Sequence, residues 1–127
     1  MGEVFSEAYP DQTFSAPPPP AQVQNIHPQD VKEMLEKDPQ LFLLDVRSPE
    51  ERSLATVEPS RPVDQELASE ILNTWPAERP LILICHVGQR SLQAAEFFTQ
   101  KGFRNVYNMI GGIDAWSLTV DSSIPRY

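Results

Sequence analysis

Two short apolar runs constrain this chain more than anything else in it. LFLLDV (41–46) and LILI (81–84) are almost unbroken strings of large aliphatic residues. A strand with one face in water alternates apolar and polar residues, so unbroken runs mark strands covered on both faces, as in parallel sheets. Parallel strands need crossover segments, and the stretches between the runs carry helical spacing. Val31, Met34 and Leu35 form one buried stripe, Leu67, Ile71 and Leu72 a second. Leu92, Ala95 and Phe98 form a third, with Ala94 and Phe97 beside it.

The helix ends are marked as clearly. Pro28 suits a first helical position with His27 as the helix-start residue before it. Ser48-Pro49-Glu50-Glu51 reads as a capping box, and Asp64 as the cap of the Leu67 helix. Gly102 closes the Phe98 helix, and Phe103 should fall back onto Phe98. A short strand around Val106 follows, then Gly111-Gly112 and a last helical turn bearing Trp116. The expectation is an α/β domain over residues 25–127, a central parallel sheet flanked by helices on both faces.

Residues 1–24 differ in kind. They contain Pro10 and the run Pro17, Pro18, Pro19 and Pro20 among small and polar residues, with Glu3, Glu7 and Asp11 and no Lys or Arg. Consecutive prolines favour extended polyproline II and forbid a helix or central strand. We expect a disordered, acidic, Pro-rich tail, with a docking segment for a proline-reading partner as the alternative.

The whole chain of 127 residues carries a net charge of −8. Binding to nucleic acid or an anionic membrane needs a positive field, so neither partner is expected. No apolar stretch approaches the roughly 20 residues of a membrane span, and the start lacks the basic and apolar segments of a secretory signal. A cytoplasmic location is the default. A single cysteine excludes an internal disulfide and fits a reducing compartment. One cysteine and two separated histidines match no metal-ligand spacing, and no cofactor is implied. Small size and dispersed charge favour a monomer.

That cysteine stands where chemistry collects in open α/β sheets, at the carboxyl end of a strand. The LILI strand runs into Cys85, the loop extends to Arg90, and a helix is expected to begin near Ser91. Such a turn aims successive N–H groups inward, and the helix adds its positive dipole end. Both favour a thiolate. Gly88 allows unusual backbone angles, Arg90 offers a planar fork of donors to an oxyanion, and Ser91 offers a hydroxyl. A lone cysteine beside an apolar strand is ordinarily a small buried hydrophobe. A structural cysteine, however, needs neither the glycine nor the arginine.

CHVGQRS (85–91) resembles the active-site loop of the rhodanese family, which often reads Cys-x-x-Gly-x-Arg-Ser. LLDVRSPEE (43–51) resembles the family's Asp-Val-Arg segment, and GFRNVYNMIGGIDAW (102–116) its closing strand and double glycine. The similarity covers about residues 25–127 in order and is greatest to single-domain bacterial members and to rhodanese domains fused to sulfur-carrier-activating enzymes. One segment departs. Where members commonly carry Gly-His-Ile-Pro-Gly-Ala, this chain has Ala55-Thr56-Val57-Glu58-Pro59-Ser60.

The resemblance implies a thiosulfate sulfurtransferase. Cys85 would be the nucleophile and carry a persulfide, cradled by His86, Val87, Gly88, Gln89, Arg90 and Ser91, with Arg90 orienting a small anionic donor such as thiosulfate. A thiol or a sulfur-carrier protein would be the acceptor. Asp45 and Arg47 read as a scaffold beneath the loop, and His86 as an exposed side chain tuning acceptor access rather than a base. Two other readings compete. A non-enzymatic persulfide relay or partner-binding module would use the acidic leader to reach its partner. A cysteine phosphatase would place its arginine six positions after the cysteine, whereas Arg90 lies five after Cys85.

Overall fold

LILI forms the centre of the sheet. The computed structural model describes residues 22–41 and 43–127. Its elements are β1 (Gln24–Ile26), α1 (Pro28–Lys37), β2 (Leu43–Asp45), α2 (Pro49–Leu54), β3 (Ser60–Pro62), α3 (Gln65–Thr74), β4 (Leu81–Ile84), α4 (Gln89–Gln100), β5 (Val106–Met109) and α5 (Gly112–Thr119). The five strands run in the order β1-β5-β4-β2-β3, all parallel. The tail expected over residues 1–24 falls, but for its last three residues, outside the described residues, as does Phe42. The first strand begins at Gln24, one residue before the expected boundary.

Strand residues alternate between two cores. Leu43, Ile82, Ile84 and Met109 pack with Val31 of α1 and with Ile113 and Trp116 of α5. Leu44, Leu81, Leu83 and Val106 pack with Leu67 and Ile71 of α3 and with Ala95 and Phe98 of α4. Helices therefore cover both faces, and all four β4 side chains are fully buried. Removing such a side chain from water contributes about 1.5–3 kcal/mol before the entropy of ordering it. Leu72 and Phe97, at the margins of their stripes, are 39% and 42% exposed.

The edge strands β1 (QNI) and β3 (SRP) had no apolar signature. Each is three residues long and flanked on one side only, so neither needs a continuous apolar run. Pro62 is tolerated because β3 is an edge. The expected caps are present. Ser48 Oγ accepts from the Glu51 N–H at 3.2 Å, and Asp64 accepts from the Leu67 N–H at 2.8 Å. Beyond Gly102, Phe103 N–H donates to the Phe98 carbonyl and the two rings meet edge to face at 5.8 Å. The departing segment 55–60 is used structurally: Ala55 and Val57 are buried in the first core, and Ser60 opens β3.

Candidate active site

Cys85 follows directly on the central strand β4 and is 1% exposed. The turn after it is tighter than expected. Helix α4 begins at Gln89, so Arg90 and Ser91 lie in its first turn, not in a loop. Gly88 makes this possible: its φ is +102°, and a Cβ there would lie 3.1 Å from the Gly111 nitrogen. The start of α5 holds the other side of the turn. Ile113 N–H donates to the Cys85 carbonyl at 2.9 Å and Asp114 N–H to the His86 carbonyl at 3.1 Å. A side chain on Gly112 would collide with both carbonyl oxygens. The double glycine thus permits α5 to clamp the turn that carries the cysteine.

The turn presents neutral donors to the sulfur. Gly88 N–H donates to Cys85 Sγ at 3.1 Å, and Ser91 Oγ lies 3.2 Å from it. Burial by itself raises the thiol's pKa. The Ser91 hydroxyl, joined by the backbone N–H groups of Ser91, Gly88 and Val87, outweighs it and brings the pKa below the usual thiol value. Ser91 Oγ also lies 2.6 Å from Asn108 Oδ1 on β5, and Asn108 Nδ2 reaches the Gly88 carbonyl at 3.3 Å and Asn25 Oδ1 at 3.0 Å.

Beside this neutral site lies a charged one. At the end of β2, Asp45 receives Arg47 Nη2 at 2.8 Å and Arg52 Nη1 at 2.7 Å, and the Asp45 and Arg47 side chains are wholly buried. Arg47 also donates to the Ala55 carbonyl at 2.8 Å and to Tyr127 Oη at 3.0 Å. These bonds tie β2, the departing segment and the last residues together. Glu51, besides closing its capping box, takes both Arg90 nitrogens at 2.7 and 2.8 Å, and Tyr127 Oη donates to it at 2.9 Å. The Arg90 guanidinium holds the Glu51 carboxyl well below the usual carboxylate range, and Glu51 raises Arg90 in return.

Of the residues expected at the site, Cys85, Gly88 and Ser91 meet at the sulfur, and the Val87 N–H acts on it while the Val87 side chain is 50% exposed. Gln89 is exposed at the helix start. Arg90 turns its fork to Glu51. His86 is half-buried rather than exposed, stacked on the Tyr127 ring with centroids 4.0 Å apart, and its Nε2 lies 2.9 Å from the Tyr127 main-chain oxygen. Asp45 and Arg47 form a buried brace. Asn108, Gly112, Glu51 and Tyr127 were not anticipated in these roles. Asn108 had a signal, a polar residue inside the apolar strand VYNM, and Glu51 was read only as a cap. Tyr127 had none.

A parallel α/β sheet with a cysteine turn at the end of its central strand defines a class of protein. The Rhodanese-like domain model matches residues 27–119, and this chain belongs to the rhodanese family. It is 40% identical over 89 residues to Rhodanese-like/PpiC domain-containing protein 12 of Arabidopsis thaliana, covering 67% of this chain and only 30% of that protein. It is 30% identical over 93 residues to thiosulfate sulfurtransferase GlpE of Pseudomonas aeruginosa, covering 73% of this chain and 83% of that one. A rhodanese-like domain protein from Staphylococcus aureus superimposes with a TM-score of 0.65 at 21% identity, over 83% of this chain and 99% of that one. The fold and the relatives support a sulfurtransferase-type family.

Proposed function

We propose that this protein moves sulfane sulfur from a small anionic donor, thiosulfate or a persulfide, to a thiol acceptor through a persulfide on Cys85. One observation carries this reading: the sole cysteine lies at the end of the central strand with backbone and hydroxyl donors aimed at its sulfur. In the first step the Cys85 thiolate attacks the outer sulfur of thiosulfate. A new S–S bond forms, the bond within thiosulfate breaks, and sulfite leaves with its electron pair. The negative charge now rests on the outer sulfur of Cys85–S–S⁻, facing the N–H groups that had stabilised the thiolate. An acceptor thiolate then attacks that outer sulfur and Cys85 leaves as thiolate, so no redox cofactor is needed. The expected setting is cytoplasmic, with a small thiol or a sulfur-carrier protein as acceptor.

The phosphatase reading has less support. A phosphatase arginine must face the transferred group, and here both terminal nitrogens of Arg90 are engaged by Glu51. Intact mass spectrometry after exposure to thiosulfate tests the proposal, with one added sulfur atom on the wild type and none on a Cys85→Ser variant as the expected outcome. Sulfur loading from a persulfide donor without thiosulfate turnover would favour a relay. Phosphomonoester hydrolysis without sulfur loading would overturn the proposal.

A further inference from the structure

A chain of polar side chains runs from the sheet edge to the sulfur. Asn108 Nδ2 donates to Asn25 Oδ1 on β1 and to the Gly88 carbonyl, which fixes the amide so that its Oδ1 faces Ser91. Ser91 Oγ then stands between two acceptors, Asn108 Oδ1 at 2.6 Å and Cys85 Sγ at 3.2 Å. A serine hydroxyl has one proton to give. While Cys85 is a thiol, its S–H donates to Ser91 and Ser91 donates to Asn108, so every group is satisfied. Once the sulfur ionises, Ser91 turns to it and Asn108 Oδ1, on a residue only 3% exposed, loses its donor. An unpaired buried acceptor is costly, so Asn108 opposes bare thiolate through Ser91.

We propose that Asn108 is a positioning residue for Cys85: by claiming the Ser91 proton it keeps the sulfur from becoming an over-stabilised thiolate. Nucleophilicity falls as thiol pKa falls, and the best attacking thiol has a pKa near the ambient pH. In the persulfide, Sγ carries neither charge nor proton, and Ser91 can stay on Asn108. Asn108 therefore favours the loaded state over the empty thiolate. This second effect rests on the sulfurtransferase reading, whereas the competition for the proton does not.

The charged and titratable groups around the turn are His86 within it, Arg90 from α4, Glu51 from α2, the Asp45–Arg47 brace from β2, Asp114 from α5 and Tyr127. The variants that test the proposal alter none of them. The measurement is the pKa of Cys85 by thiolate absorbance and iodoacetamide alkylation, unambiguous because the chain has one cysteine. Asn108→Leu is expected to lower that pKa by about one unit. A merely structural role would loosen the turn and raise it. In a Ser91→Ala background the shift should vanish. A rise, no change, or an equal fall without Ser91 would each overturn the proposal. Asn25 is exposed, so Asn25→Ala should fold even if Asn108→Leu does not. It frees one of the two bonds fixing the amide and should give a smaller fall; no fall would overturn the proposal as well. Sulfur loading of the wild type is read separately, so failure of the transfer chemistry is not confused with failure of the proton competition.

Discussion

The ends of β4 and β2 are neighbours, with Ile84 and Asp45 paired in register, yet they handle charge in opposite ways. At the β2 end a buried carboxylate is met by two guanidinium groups, and one of them is itself buried and bound to a carbonyl and a phenol. At the β4 end the hydrogen bonds to the sulfur come, among the described residues, from N–H and O–H groups, with the Arg90 guanidinium acting on it only through its field. Fixed counterions tie a charge to one place. In the proposed reaction, neutral donors hold a charge loosely enough for it to move to an outer sulfur and back.

The sharpest way to break that comparison is to remove the sulfur. Cys85→Ser should abolish thiosulfate turnover in a cyanide assay while leaving the thermal transition close to the wild type, because the smaller hydroxyl can still accept from Gly88. Turnover retained by the serine variant would move the chemistry away from β4 altogether.

The next largest effect belongs to β2. Asp45→Ala leaves Arg47 buried without its main partner, and breaking a buried pair in this way costs about 3–5 kcal/mol. Urea unfolding followed by Trp fluorescence reads that loss. Alkylation of Cys85 in the folded protein should keep its pH midpoint, since the brace acts through position rather than field. A cost below about 1 kcal/mol would mean that the buried brace contributes no more than an exposed ion pair does.

The contrast between these strand ends also shows what could be read from the sequence. β2 and β4 are buried on both faces, so the solvent-averse runs LFLLDV and LILI betrayed them, and Ser48, Asp64 and Gly102 marked helix ends through local hydrogen bonding. β1 and β3 escaped because an edge strand needs only backbone partners. At the site, the local elements were legible: the cysteine, the glycine, the serine three residues on. Groups brought in across the sheet were not. Asn108 lies seventeen positions from Ser91, and its polarity inside VYNM marks the residue but not its partner; Tyr127 lies 76 from Glu51 and carries no local mark at all. Helix α4 starts two residues before the expected Ser91 because the positive φ of Gly88 ends the turn in four residues.

A smaller effect separates the donors at β4 from one another. Ser91→Ala removes the hydroxyl that helps lower the Cys85 pKa, leaving the backbone N–H groups to oppose burial. Alkylation rises as pH climbs through the thiol pKa, and in the wild type that midpoint lies below a free cysteine's. The variant's midpoint should move up by about one unit, so alkylation at neutral pH slows by roughly threefold to tenfold. An unmoved midpoint would assign the reactivity to the backbone alone.

The smallest effect sharpens the comparison most, because Glu51–Arg90 is an ion pair that lies between the two strand ends and belongs to neither. It is short and bidentate like Asp45–Arg47, but its side chains are 20% and 48% exposed where that pair's are wholly buried. Solvent screening therefore limits it to about 1 kcal/mol or less, and salt should weaken it further. The carboxyl pKa is depressed in the folded protein, so the pair persists above the ordinary glutamate range and is lost only as pH falls through the depressed value, well into acid. Neutral pH changes will not open it. Glu51→Gln keeps an N3 side chain that can cap α2 while removing the charge that holds Arg90. Stability should fall only slightly, and Arg90 becomes free to meet an anionic donor. If it does, the KM for thiosulfate falls with kcat little changed, the signature of binding gained equally in ground and transition states. An unchanged KM would make Arg90 a clamp between α2 and α4, and leave donor binding to the turn itself.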